Sequence, residues 1–182
     1  MLRHPRPVSA TPALLAALLL AGCSAAAPAG PTPVPTPGTE ARPREIAIIA
    51  KDYLFLPAQV ELFPGETVLI HVVNGGLAVH EAVIGDLAVQ NAWETVEATT
   101  GQSAPGPTPV VSLPPGLAGL RVVVRSGERV DVRFSVPATR EAVARLLVGC
   151  HIPGHWAKGM QVPVVALDPA GAPVSASVLD RE

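Results

Sequence analysis

The residues best suited to chemistry lie close together near the C-terminal end of the 182-residue chain. The segment Cys150-His151-Ile152-Pro153-Gly154-His155-Trp156-Ala157-Lys158-Gly159-Met160 carries the pattern C-x4-H-x4-M. It sets a thiol, an imidazole and a thioether on one predicted loop between two strands. A copper ion that alternates between Cu(I) and Cu(II) wants this mixture, because sulfur suits the reduced ion and nitrogen is acceptable to both. Copper sites that pass electrons join two imidazoles and one thiolate in a plane, with a distant axial Met. His80, in Leu77-Ala78-Val79-His80-Glu81-Ala82-Val83-Ile84, is the candidate for the second imidazole. The expected metal ligands are therefore His80, Cys150, His155 and Met160. Taken singly, each has a duller role: a buried inert thiol, a core-filling thioether, a satisfied strand histidine. Together, at this spacing, they favour copper. Zinc is the chemical competitor, but a thioether suits it poorly and a Cys-rich structural site is unavailable.

Short strands must position these groups. From residue 45 onward, β-branched runs are punctuated by Pro and Gly, and the whole chain holds 21 Pro and 16 Gly with 48% hydrophobic residues. That balance argues against a helical bundle. Strands are expected at Glu45–Lys51, Gln59–Leu62, Thr67–Val73, Ala78–Ile84, Leu120–Arg125, Glu128–Val136, Ala144–Cys150 and Gln161–Leu167. Alternation is strict in Val130/Val132/Phe134, with Asp131 and Arg133 between them. Pro64-Gly65, Asn74-Gly75-Gly76 and Ser126-Gly127 mark turns. About eight strands in ~125 residues predict an all-β, Greek-key β-sandwich. Asp86–Thr99 reads as a short helix, and Gly101–Gly119 as a Pro/Gly-rich loop beside the sandwich.

The N-terminal segment reads as an address. Arg3 and Arg6 precede an apolar run, Ala13–Leu20, that is too short to span a bilayer but right for a secretory signal. Leu20-Ala21-Gly22-Cys23 follows and resembles the lipobox of bacterial lipoproteins, in which the Cys becomes the lipidated first residue. Residues 1–22 are thus the expected signal peptide, and Cys23 the expected lipidation site. Residues 23–44 would be a Pro/Ala-rich disordered tether reaching on the order of 60 Å. Residues 45–182 would form the folded domain. Loss of residues 1–22 removes two Arg and no acid, leaving 11 basic against 15 acidic residues. Acyl chains would hold such a chain to a membrane without a transmembrane helix, on the extracytoplasmic side of a bacterium.

On the two motifs around His80 and Cys150, the chain resembles the cupredoxins, the small type 1 (blue) copper proteins. The His…C-x4-H-x4-M spacing is similar to that of auracyanin, and the likeness covers roughly residues 45–168. The resemblance implies a Greek-key sandwich holding one copper ion. It implies that Cys150 supplies the covalent thiolate bond, that His80 and His155 complete the plane, and that Met160 tunes the potential from the axial side. The His-Asn pair of plastocyanin and azurin is His80-Glu81 here. A backbone N–H near the sulfur remains expected, without the Asn side chain that usually supports it. The aromatic residue often found two positions before the Cys is replaced by Val148.

Composition closes off other functions. Two Cys exclude a disulfide-rich scaffold and an iron–sulfur protein. A net charge of −2 gives no basic surface for nucleic acid. Gly149 breaks a His-Cys-His relay at His151, and five His are too few for a multicopper oxidase. No G-x-S-x-G, phosphate loop or metalloprotease helix occurs. His71 is expected on a sheet face. Glu81, Asp86, Glu94 and Glu97 are expected in solvent, with no pairing for acid–base work. Trp156 could join an apolar patch around the solvent edge of His155 or simply pack its loop.

These readings predict a monomeric, non-enzymatic electron carrier that meets redox proteins outside the cytoplasm while tethered to a membrane. The alternative is extracytoplasmic copper sequestration or delivery, which a single Met outside the signal disfavours. A third possibility is the same fold kept as a binding module with an empty site.

Overall fold

The structure, a computed structural model, describes residues 34–100 and 113–174. The expected signal peptide, Cys23 and the first part of the tether lie outside the described residues, as do residues 101–112 of the expected loop. Among the described residues the strands are β1 (Arg44–Lys51), β2 (Leu54–Leu56), β3 (Val60–Leu62), β4 (Thr67–Asn74), β5 (His80–Gly85), β6 (Leu120–Val124), β7 (Arg129–Ser135), β8 (Leu147–Gly149) and β9 (Gln161–Ala166). The helices are α1 (Leu87–Thr100), α2 (Pro115–Ala118) and α3 (Arg140–Ala144), with a 3-10 turn at Trp156–Lys158. No described helix is long and apolar enough to cross a membrane.

The strands form two mixed sheets, ordered β2-β1-β4-β7 and β3-β9-β8-β5-β6. Pairing is parallel between β1 and β4 and between β3 and β9, and antiparallel elsewhere. In β4, Val68, Ile70 and Val72 are buried while Leu69, His71 and Val73 are only half-buried. This period of two turns one face of each sheet inward. Ile48, Ile70 and Val72 from the first sheet meet Ala82, Ile84, Val124, Val148 and Val164 from the second in one core. Burying each large aliphatic side chain contributes about 1.5–3 kcal/mol. Cys150 and Met160 belong to the same cluster, so the predicted ligands sit at one end of the core.

Strand β5 is buried along its whole length. Ala82 and Ile84 face the inter-sheet core, whereas Val83 packs with Val89 and Trp93 of α1. Helix α1 therefore covers the outer face of the second sheet. Its start is set by Asp86, whose Oδ1 accepts the Val89 N–H at 3.0 Å, an N-cap bond.

Two local outcomes differ from the sequence-based expectation. The first half of the expected strand Ala144–Cys150 is displaced by α3, leaving only Leu147–Gly149 extended. Thr139 caps that helix by accepting the Ala142 N–H at 3.2 Å, and α3 then runs to Ala144 with Arg145 as its C-cap. Strand β2 was not expected, and it pairs with the end of β1. Ahead of β1, Gly38 donates its N–H to buried Glu66 at 3.0 Å and its carbonyl accepts the Thr67 N–H at 3.0 Å. Chain before residue 44 is thus hydrogen-bonded to the sandwich.

Candidate metal centre

Four elements bring the expected ligands to one end of the sandwich. His80 opens β5, Cys150 follows β8, and His155 and Met160 lie on the loop from β8 to β9. Antiparallel pairing of Val83 with Gly149 sets the His80 strand beside Cys150. The Cys150 N–H donates to the Met160 carbonyl at 3.1 Å, extending the β8–β9 ladder by one rung. The Met160 N–H in turn reaches the His155 carbonyl at 3.1 Å. The loop is closed on itself by short backbone bonds, and Gly159 takes φ 84°, a conformation that favours glycine.

His80, Cys150 and His155 each offer one donor atom, and the three atoms lie within 4.8 Å of one another. Cys150 Sγ is 3.3 Å from His155 Nδ1, and the His80 and His155 ring centroids are 4.9 Å apart. His80, Cys150 and Met160 are fully buried, and His155 is 7% exposed. Met160 is joined to both Cys150 and His155 through its backbone.

The chemistry of this donor set fits a metal ion. His80 Nε2 faces Asp52 Oδ1 at 3.1 Å, while its Nδ1 is buried with no hydrogen-bond partner. A buried polar atom without a partner calls for a ligand. Burial pushes the Cys150 thiol up to about 12, despite the Glu81 N–H that points at Sγ from 3.5 Å. A cation inverts that preference, since a coordinating thiol is deprotonated outright. Burial, then neighbouring His80, holds His155 below its ordinary value, which keeps a ring nitrogen free to coordinate.

Glycines allow the close approaches. A Cβ on Gly149 would meet Gln90 Oε1 and the Trp156 ring at 2.5 Å. One on Gly76 would lie 2.9 Å from His80 Nε2.

The surroundings correct several expectations. Glu81 and Glu97 are not in solvent but are 0% and 2% exposed, because α1 lies over the face of β5 from which Glu81 projects. Glu94 is half-buried and faces His151 Nδ1 at 2.8 Å, and Asp86 alone of the four is exposed. His155 is not an open solvent edge: the Tyr53 ring stands edge-on to it at 5.2 Å, with Lys158 Nζ 3.8 Å from the Tyr53 centroid. Trp156 stacks on His151 at 4.7 Å, which makes it a loop-packing residue. His71 does sit on a sheet face, between Asp131 and Glu45.

Sequence reading missed Asp52, Tyr53, Gln90 and Arg121. Gln90 is fully buried, donates to the carbonyls of Val83, Gly85 and Leu147 at 3.1 Å, and accepts from His151 Nε2 at 2.7 Å. A signal existed only for Arg121, a charge set inside the apolar run Leu120–Val124.

No protein-family model matches the chain, and no curated protein matches it in sequence. Solved structures do match in shape. Auracyanin B is 21% identical, with a TM-score of 0.54 over 73% of this chain and 99% of that one. The auracyanin of Roseiflexus castenholzii, in its dithionite-reduced form, is 18% identical, with a TM-score of 0.53 over 68% and 97%. Auracyanin A of Chloroflexus aurantiacus, a "blue" copper protein, is 22% identical, with a TM-score of 0.50 over 68% and 98%. The two mixed sheets, their end-on His-Cys-His group and these likenesses together give the chain the cupredoxin fold.

Proposed function

We infer that this chain is a single-copper electron carrier. The observation that carries the reading is the buried His80–Cys150–His155 group with its unpartnered His80 Nδ1. His80, Cys150 and His155 would hold the ion, with the buried Met160 of the same loop as the expected fourth donor. Copper bound there supplies a one-electron couple with a thiolate charge-transfer colour. If all four protein groups bind, no position is left open for water or substrate, and metal-assisted catalysis needs one. The likeness in fold to copper-binding auracyanins supports the same reading.

Electrons would pass at the Tyr53 end of the molecule. Tyr53, Leu54, Leu77 and Val79 are all more than 40% exposed there, and Asp52 ties the Leu77–Ala78 turn beside Tyr53 by accepting both backbone N–H groups. An apolar surface over His155 suits brief docking of a redox protein. The N-terminal motif supports export and lipidation at Cys23, with the chain between Cys23 and the hydrogen-bonded Gly38 as the tether and the sandwich, β1 included, as the working domain outside the cytoplasm. [3H]palmitate labelling of wild-type but not Cys23→Ser chain would test that part.

For the copper reading, the purified chain is loaded with Cu(II) and its visible spectrum recorded. An intense thiolate band that disappears in Cys150→Ser is expected. A colourless, loosely bound Cu(II) site in the wild type would overturn the assignment. Rapid handover of Cu(I) to a competing chelator would favour copper delivery instead.

A further inference from the structure

The buried carboxylate beside His80 is built into both ligand-bearing segments. The Glu81 backbone N–H points at Cys150 Sγ from 3.5 Å. Its Oε1 accepts the His151 backbone N–H at 2.9 Å, one residue past the thiol. Its Oε2 accepts from Arg121 Nε at 2.6 Å. Arg121 Nη2 continues to Glu97 Oε1 of α1 at 2.6 Å, and the guanidinium lies 4.6 Å over the Trp93 ring. One side chain thus spans the start of β5 and the Cys150 loop, and one arginine anchors that side chain to α1.

Taking a carboxylate fully out of water is costly, and hydrophobic replacements of buried ion pairs are often neutral or stabilising. A fully buried Glu that links both ligand segments is therefore better explained by positioning than by stability. We propose that Glu81 is the positioning residue of the metal centre: its carboxylate fixes the Cys150–His151 segment against the His80 strand, and Arg121 holds that carboxylate. This rests on the copper reading for its spectroscopic consequences but not for its geometry. Restricting the Cys150 backbone restricts the direction from which Sγ meets the ion, and hydrogen bonds around a ligand tune the metal it holds.

The test compares Glu81→Ala, which loses the acceptor and the charge, with Glu81→Gln, which keeps an acceptor. In the metal-free chain, exchange of the His151 N–H is followed by hydrogen–deuterium exchange. It should speed up at least tenfold in Glu81→Ala and stay close to wild type in Glu81→Gln. In the copper-loaded chain, Glu81→Ala should change the balance of the thiolate bands and the copper EPR pattern. Glu81→Gln should keep both, because the acceptor for the His151 N–H remains. Glu97→Gln serves as the comparison, because its carboxylate meets Arg121 from α1. It should leave His151 exchange near the wild-type rate.

Wild-type exchange and spectrum in Glu81→Ala would overturn the proposal. Equal acceleration of His151 in Glu97→Gln and Glu81→Ala would also overturn it, since general loosening would then suffice. Should Glu81→Ala fail to fold, Glu81→Asp, whose carboxylate is one carbon short of His151, takes its place, and wild-type His151 exchange there decides against the proposal. A wild-type chain without a thiolate band would refute the copper reading, and the metal-free exchange comparison would still decide the role of Glu81.

Discussion

Two arginine–carboxylate clusters in this molecule use the same groups in opposite surroundings. On the outer face of the first sheet, Arg129 pairs with Asp131 at 2.6 Å, and His71 joins them at 2.8 Å. The Arg129 and Asp131 side chains are 55% and 45% exposed. Under α1, Arg121 pairs with Glu81 and Glu97 at the same 2.6 Å, but those side chains are 15%, 0% and 2% exposed. Solvent screens the first cluster, so its geometry contributes little. The second has no water to replace a lost partner, so each member depends on the others. Equal distances therefore say little about importance, and burial decides which cluster shapes a site.

Removing one member from each cluster should separate them most sharply. Arg121→Ala strands two buried carboxylates and is expected to cost about 3–5 kcal/mol in denaturant unfolding of the metal-free protein. Gln90→Ala removes four hydrogen bonds behind the Cys150 loop and should cost roughly 2–4 kcal/mol by the same measurement. Gly149→Ala forces a Cβ against Gln90 and Trp156, and about 1–3 kcal/mol of strain is expected. Arg129→Ala should leave the unfolding midpoint nearly unchanged. A midpoint shift there as large as that of Arg121→Ala would erase the contrast.

The smallest effect is one of pH. The Arg129 side chain, then His71, holds Asp131 at about 2 against an ordinary 3.8. A lowered carboxylate contributes stability that is present above its unfolded value and lost as pH falls through the folded one. Asp131→Asn should therefore flatten only the part of the acid-unfolding curve between about pH 4 and 2. A change in the curve above pH 5 would contradict that assignment.

Much of this was legible before any coordinates. Period-two alternation through Val130, Val132 and Phe134 marked the β7 strand, and runs rich in β-branched residues marked others. The stretch read as a helix, Asp86–Thr99, matches α1 to within a residue at each end. The three-residue β2 was not readable, since so short a run beside Pro57 carries almost no pattern. Thr139 and Glu141 did hold a helix signal, set directly ahead of the apolar Leu146-Leu147-Val148 stretch that reads as strand. The grouping of the candidate donors was readable from spacing, because Cys150, His155 and Met160 share one loop and only His80 comes from afar. Their support was not. Glu81 looked like an ordinary outward residue on a strand, and nothing local says that α1 folds over that face. Gln90 and Arg121 gained their roles only once the sheet and helix were packed.

The account's central claim is most directly tested by cycling the copper-loaded chain through repeated reduction and reoxidation while its thiolate band and metal content are followed. A held-in-place electron-transfer site predicts a band that bleaches and returns in full, with one copper per chain retained throughout. Stepwise loss of the band together with release of copper into solution would contradict it.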